Sequence, residues 1–206
     1  MNTPYIPSKS DISDLKEACG YPQKAPRPDL NDFAARCHAA SKSWWHHPVT
    51  GEPIERNPRE LLMLAISEIA EAMEGERKNL MDDHLHDRKM AEVEMADYVI
   101  RLADFAGGMK IENIIPHDTV ENMPDNKGQS LYWLCRHTTD ILDRDTDVGW
   151  DWDSGEEIGF CIAYAEAYCE KHGYDLWAAV ECKLRYNQYR ADHKPENRVK
   201  EGGKSF

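Results

Sequence analysis

Apolar residues recur along the chain at spacings typical of helices, and no segment shows the strict alternation expected of a β-strand. Local signals support helix boundaries. Asp29 or Asn31 can cap a first helix that runs to about Trp45, and Asn57 followed by Pro58 is a typical helix start. The pattern predicts an all-α protein, a helical bundle. The predicted helices cover about 30–45, 58–79, 87–105, 130–142, 154–171 and 176–190.

The distribution of proline, glycine and charge predicts the domain organisation. Residues 1–28 are rich in proline and poor in large apolar side chains, which indicates an extended N-terminal arm. The remainder, 29–206, is predicted to be one helical domain, with a polar, basic tail over 191–206. The third helix is expected to end at Gly107-Gly108, since glycine commonly terminates helices.

The third predicted helix is apolar around most of its surface but carries one narrow polar strip. At about 100° per residue, the strip spans a wedge of roughly 80°. A buried carboxylate is costly unless it is protonated, paired or bound to a metal. An arginine in the same strip leaves open a structural ion pair with Glu94 or Asp104. The strip consists of Glu94, Asp97, Arg101 and Asp104.

The preceding helix carries a second pair of carboxylates. Glu68 falls among apolar neighbours, with Leu61 and Leu64 within roughly 60° on the helical wheel, and Glu71 follows three residues later. Single pairs with this spacing are common on solvated helix faces. Two pairs on consecutive helices would meet if the helices face each other, and a cluster of hard oxygen donors suits Mg²⁺ or Mn²⁺.

The overall charge restricts the classes of partner. The 206 residues include 38 acidic and 25 basic side chains, a formal net charge of -13. Such a chain repels nucleic-acid backbones, so we expect no nucleic-acid binding. The apolar runs are too short to span a bilayer, so we expect no membrane partner and a cytoplasmic protein, in the host cytoplasm if phage-encoded. Six cysteines without a CxxC motif are expected to be free thiols.

Two central segments, "LLMLAISEIAEAMEGERK" and "EVEMADYVIRLADFAGGMKI", resemble the MazG-like all-α NTP pyrophosphohydrolases, in the form often seen in phage genomes. The C-terminal "KLRYNQYRADHKPENRVKEGGKSF" resembles the Lys-x-x-Tyr-Asn-x-x-Arg helix and basic tail of the same group. The resemblance covers about 30–111 and 178–206, so 112–177 is interpreted as an inserted helical pair. The family's ExxE and ExxD motifs are matched by Glu68, Glu71, Glu94 and Asp97.

The resemblance implies a reaction in which a (d)NTP and water give a (d)NMP and pyrophosphate. The four motif carboxylates would be both catalytic residues and ligands of Mg²⁺ or Mn²⁺, and a metal-bound water would be the nucleophile. It also implies a homodimer or tetramer whose active site is completed across subunits. A purine deoxynucleotide such as dGTP, in phage nucleotide metabolism, is the expected substrate. The expected substrate-binding residues are Lys78, Lys183, Tyr186, Asn187, Arg190 and Trp45.

Two other functions stay open at this point. Many family members carry a further glutamate pair one turn before the first motif, where this chain has Leu64 and Ala65. That departure is consistent with a non-catalytic helical interaction protein derived from the family. The pairs His86-Asp87 and His117-Asp118 are of the type used by HD-type nucleotide phosphohydrolases, although both fall in predicted linkers.

Overall fold

The structure is a computed structural model that describes residues 25–143 and 152–190. This part of the chain is all-α and contains no strand, so the predicted fold class is confirmed. The predicted N-terminal arm, except for its last residues, and the basic tail lie outside the described residues. The helices are α1 (Leu30–Ser41), α2 (Pro58–Lys78), α3 (Met90–Met109), α4 (Lys127–Asp143), α5 (Trp152–Lys171) and α6 (Leu176–Tyr189), with a short 3₁₀ helix, Lys42–Trp45, after α1.

The ends of α1 and α2 follow the local sequence signals. The Asp29 carboxylate caps α1 by accepting hydrogen bonds from the backbone N–H groups of Asn31 and Asp32, each at 3.0 Å. Asn57 caps α2 by accepting the N–H of Arg59 at 2.9 Å, with Pro58 at the first helical position. Asn79 ends α2 in the left-handed conformation, with φ of 53°. Both starts and the end of α2 were predicted correctly, whereas α1 ends at Ser41 and a 3₁₀ helix continues to the predicted end at Trp45.

Helix α3 is the centre of the bundle and packs against α1, α2, α5 and α6. The predicted stop at Gly107-Gly108 is wrong, because both glycines lie inside the helix and Lys110, with φ of 57°, ends it. A Cβ at Gly107 would lie 2.6 Å from the Cβ of His38, and one at Gly108 would lie 2.1 Å from the Trp45 ring. The glycines therefore serve close packing against α1 and the 3₁₀ helix.

Helices α4 and α5, which form the predicted insertion, belong to the same hydrophobic core. They pack against each other, while α4 also contacts α2 and α5 contacts α3. Helix α4 begins three residues before its predicted start, at Lys127, whose amino group donates to Glu76 at 2.5 Å. The Glu76 carboxylate also accepts hydrogen bonds from Tyr168 and Tyr174, both at 2.8 Å. One half-buried carboxylate thus joins α2 to α4, to α5 and to the loop that follows α5.

None of the described helices is both long enough and apolar enough for a membrane span. The cysteine prediction is correct in part. Four described cysteines are free thiols, whereas Cys182 of α6 is disulfide-bonded, contrary to the expectation of six free thiols. The free cysteines are Cys37, Cys135, Cys161 and Cys169.

Candidate metal centre

The packing of α2 against α3 brings three carboxylates together. Glu68 comes from α2, and Glu94 and Asp97 come from successive turns of α3. One oxygen of each lies within 4.8 Å of the others. Glu68 and Glu94 are 5% and 6% exposed, and Asp97 is half-buried. An all-oxygen donor set of this kind fits a hard divalent cation such as Mg²⁺ or Mn²⁺.

Glu71, the fourth predicted carboxylate, does not belong to this group. Its side chain is exposed to solvent, one helical turn beyond Glu68. The difference has a simple cause. Residues three positions apart are displaced by about 60° around a helix. Helix α3 is buried over most of its surface and keeps both Glu94 and Asp97 inside the bundle, whereas on α2 the same displacement carries Glu71 to solvent. The interface therefore brings together three of the four motif residues.

Two cations pair with the buried carboxylates. Arg101 of α3 donates its Nε–H to Glu68 Oε1 at 2.5 Å, across the helix interface. The Lys183 ammonium of α6 lies 2.8 Å from Asp97 Oδ2, and the Lys183 side chain is 3% exposed. Burial opposes the charged ammonium, but the attraction of Asp97 outweighs it and raises the pKa of Lys183. Arg101 thus pairs with Glu68 rather than with Glu94 or Asp104.

Glu94 has no ion pair with Lys or Arg in the described part of the chain. Burial, with the repulsion of the Asp97 and Glu68 carboxylates, raises the pKa of Glu94 to about 9. Three carboxylates thus share two cations, and the third is ionised only at a high free-energy cost. A divalent cation would remove that cost, so the charge distribution, like the donor atoms, fits a bound metal.

A cleft of about 110 Å³ opens beside the three carboxylates. Asp97 is the member of the three-carboxylate group that lines it, and Arg101, the partner of Glu68, lines it too. Asn187 and Arg190, both predicted as substrate-binding residues, belong to its lining. Its other residues combine an aromatic ring, aliphatic side chains and polar groups: Ser41, Trp44, Arg56, Leu61, Leu64, Ile100 and Asp104.

The predicted Trp45 is not among the residues that line the cleft; its neighbour Trp44 is. The indole N–H of Trp45 donates to Asp104 Oδ1 at 2.9 Å, and its ring packs on Gly108. The Arg56 guanidinium lies 5.9 Å from the Trp45 ring and donates to the backbone carbonyl of Trp44 at 3.0 Å. Trp45 therefore supports the wall of the cleft from behind.

Asp104 is an acidic residue of the cleft that was not predicted as a site residue. Its carboxylate also lies 2.9 Å from the Nδ1 atom of His38. Burial raises the pKa of Asp104, and the contacts with His38 and Trp45 oppose that rise. The signal was present in the sequence, because Asp104 lies seven residues after Asp97 in the same polar strip.

Two other predicted substrate-binding residues lie outside the cleft lining. Lys78 forms an exposed ion pair with Glu74 on α2. Tyr186 stacks its ring on His84, with the ring centroids 4.9 Å apart, and lies 5.9 Å from the Lys183 ammonium. Tyr186 is therefore close to the acidic group through Lys183, whereas Lys78 is held at the surface.

The His-Asp pairs do not contribute to the acidic group. His86 Nδ1 lies 3.1 Å from the backbone carbonyl of Asp82, in the loop between α2 and α3. His117 lies in the loop between α3 and α4, with its ring centroid 5.6 Å from that of Phe160. The three-carboxylate group contains no histidine.

Comparison of the chain with protein-family models, with curated proteins and with solved structures finds nothing that matches.

Proposed function

We propose that this protein is a divalent-metal-dependent nucleoside triphosphate diphosphohydrolase, which converts a (d)NTP and water into a (d)NMP and pyrophosphate. The observation that carries the proposal is the group of Glu68, Glu94 and Asp97 between two helices, with Asp97 also lining a cleft. The family resemblance of the segments around these residues supports the same reaction.

In this proposal Glu68, Glu94 and Asp97 hold Mg²⁺ or Mn²⁺, and Glu71 supplies an outer carboxylate from the next turn of α2. A bound cation of this kind polarises a phosphate oxygen and lowers the pKa of a bound water. Arg101 keeps the Glu68 carboxylate oriented, because its hydrogen bond crosses the helix interface. The buried environment strengthens each of these electrostatic interactions.

The basic residues near the acidic group suit a triphosphate. Arg101 and Arg190 line the cleft, and Lys183 lies beside Asp97. Guanidinium and ammonium groups neutralise phosphate oxygens through charge-assisted hydrogen bonds. The apolar and aromatic wall around Trp44 suits the flat ring of a base. A purine deoxynucleotide such as dGTP, used in phage nucleotide metabolism, remains our proposed substrate.

The test is a panel of the eight common NTPs and dNTPs with Mg²⁺ or Mn²⁺, with the products separated by chromatography. We expect a monophosphate and pyrophosphate from the wild type. We expect losses of at least about 100-fold in Glu68→Gln and Glu94→Gln, since a neutral amide is a poor ligand for a hard cation. Glu71→Gln measures the contribution of the outer carboxylate. Glu121→Gln makes the same change at an exposed glutamate and is expected to retain full activity.

A second readout is independent of turnover. Mg²⁺ or Mn²⁺ should raise the Tm of the wild type and not that of Glu68→Gln, because a ligand stabilises the state that binds it. Diphosphate and orthophosphate as products would contradict the proposed reaction. Absence of turnover in a folded protein whose Tm does not respond to metal would favour the non-catalytic interaction protein instead.

The proposal includes self-association as a homodimer or tetramer. Met63 and Met73 of α2 are 59% and 36% exposed and offer apolar area for such a contact. Light scattering coupled to size-exclusion chromatography measures the mass directly. A strictly monomeric species at assay concentration would contradict this part of the proposal.

A further inference from the structure

Asp104, which lines the cleft, has one carboxylate oxygen, Oδ2, that can accept hydrogen bonds from a ligand. Its Oδ1 atom accepts the indole N–H of Trp45 and contacts Nδ1 of His38, both at 2.9 Å. In the part of the chain that the structure describes, no hydrogen bond reaches Oδ2. The side chain is 16% exposed and lines the cleft. The carboxylate is therefore held in place through one oxygen while the other is available.

A second acceptor lies in the same cleft. The Oδ1 atom of Asn187 is buried and has no hydrogen-bond partner among the described residues. A buried acceptor without a donor is costly. One buried acceptor without a donor and one solvent-accessible carboxylate oxygen line the same cleft, which suits a ligand that is rich in N–H donors.

The position of Asp104 suits the base of a nucleotide. Asp104 follows Asp97 by seven residues, so both lie on one face of α3 about 10 Å apart at 1.5 Å per residue. A nucleotide whose α-phosphate lies at Asp97 has its sugar and base extended along the helix toward Asp104. The aromatic wall formed by Trp44 lies beside this path.

We propose that Asp104 is a specificity-determining residue that selects guanine, by accepting hydrogen bonds from its N1–H and 2-amino groups. The inference rests on the proposed function for the placement of the phosphate. Guanine presents two adjacent N–H donors, and the single available oxygen, Oδ2, has two lone pairs with which to accept both. Adenine and cytosine place a ring acceptor beside their amino group, and thymine and uracil flank their N–H with two carbonyls. Each of these acceptors is repelled by a carboxylate.

The first measurement is kcat/KM for dGTP, dATP, dCTP and dTTP in the wild type and in Asp104→Asn. We expect the value for dGTP to fall by about 10–100-fold, the range for a lost hydrogen bond to a charged group. We expect the values for the other three to stay the same or rise. Asp104→Glu keeps the charge but displaces the carboxylate, so it should lower the preference for dGTP too.

A structural role is separated by His38→Ala. This variant removes one of the two contacts at Oδ1, keeps the hydrogen bond from Trp45 and leaves Oδ2 intact. It should keep the preference for dGTP if Asp104 contacts the base. An equal loss of preference in His38→Ala and Asp104→Asn would overturn the inference, because Asp104 would then act only by holding its neighbours.

A binding measurement separates this inference from the proposed reaction. Calorimetric titration with dGMP, dAMP, dCMP and dTMP requires no turnover. Preferential dGMP binding that Asp104→Asn abolishes supports the inference even if no triphosphate is hydrolysed. Hydrolysis of all four dNTPs without preference, or a preference that survives in Asp104→Asn, overturns the inference and leaves the proposed reaction intact. Absence of all nucleotide binding overturns both.

Discussion

Lys183 is the cation that balances the charge of Asp97 in the three-carboxylate group. Its ammonium is almost fully buried and its ion pair with Asp97 joins α6 to α3. Removing one partner of a buried ion pair leaves the other charge unpaired in a medium of low polarity. The surface pair between Arg36 and Glu181 is a useful contrast, because both side chains are more than 40% exposed.

We expect Lys183→Met to lower the free energy of unfolding by about 3–5 kcal/mol, the range for a broken buried pair. Arg36→Met should cost no more than about 1 kcal/mol, as for exposed ion pairs. Urea unfolding followed by circular dichroism measures both, and the double variant Lys183→Met with Asp97→Asn should recover part of the loss. Equal losses in the two single variants would refute this account of Lys183.

The part of the candidate site that helical periodicity determines could be predicted from the sequence. Glu68 was identified because its neighbours on the wheel are apolar, and it is indeed buried. The orientation of Trp44 and Trp45 was not predictable in the same way, because the pair lies in a 3₁₀ helix that breaks the 3.6-residue period. The pairing of Lys183 with Asp97 depends on where α6 docks, which no local pattern specifies.

At the scale of elements, α3 departs most from its expected boundaries. Gly107 and Gly108 predicted the end of the helix, yet both lie within α3. They let His38 and Trp45 approach its backbone. Glycine in a helix is normally unfavourable relative to alanine by about 1 kcal/mol. The sequence cannot distinguish a terminating glycine from a packing glycine, since the difference depends on another helix.

Gly108→Ala is therefore expected to destabilise the protein by about 1–3 kcal/mol, the range for overpacking, instead of stabilising it. The new Cβ would lie 2.1 Å from the Trp45 ring and displace it. Thermal unfolding and tryptophan fluorescence report the two effects. Gly128→Ala is the matched control, because the nearest atoms to a Cβ there are the flexible end of Met73 at 3.2 Å and Asn126 Oδ1 at 3.4 Å. A more stable Gly108→Ala would contradict the packing role.

At the scale of the whole molecule, Glu76 connects the helix pair that carries the acidic group to the α4–α5 pair. Burial alone would raise the pKa of Glu76, but hydrogen bonds from Lys127, Tyr174 and Tyr168 outweigh it and lower the pKa below the ordinary 4.5. A lowered folded-state pKa adds stability above the unfolded-state pKa. This stability is lost as the pH falls through the folded-state value.

We expect the wild type to lose stability below about pH 4.5 more steeply than Glu76→Gln, which has no carboxylate to protonate at this position. Near pH 7 Glu76→Gln should be less stable by about 2 kcal/mol, as for hydrogen bonds to a charged group. Urea unfolding at several pH values measures both effects, with Glu121→Gln as the exposed control. A parallel pH dependence in the wild type and Glu76→Gln would contradict the role of this carboxylate.

The all-α class and most helix boundaries followed from hydrophobic periodicity and capping residues. The way the helices pack did not, because it depends on contacts between residues far apart in sequence. Lys127 and Glu76 illustrate this, since they are 51 residues apart and their hydrogen bond fixes where α4 begins its contact with α2.

The ion pair between Lys183 and Asp97 also has a consequence for biosynthesis. Helix α6 follows every other described helix in the chain, so a ribosome completes α2 and α3 well before Lys183 is made. Until then Asp97 lacks its cationic partner, so it has to remain hydrated or become protonated. Burying a charged Asp97 between α2 and α3 at that stage would be costly. A charged Asp97 is thus buried in its final state only after α6 has been synthesised and has docked against α3.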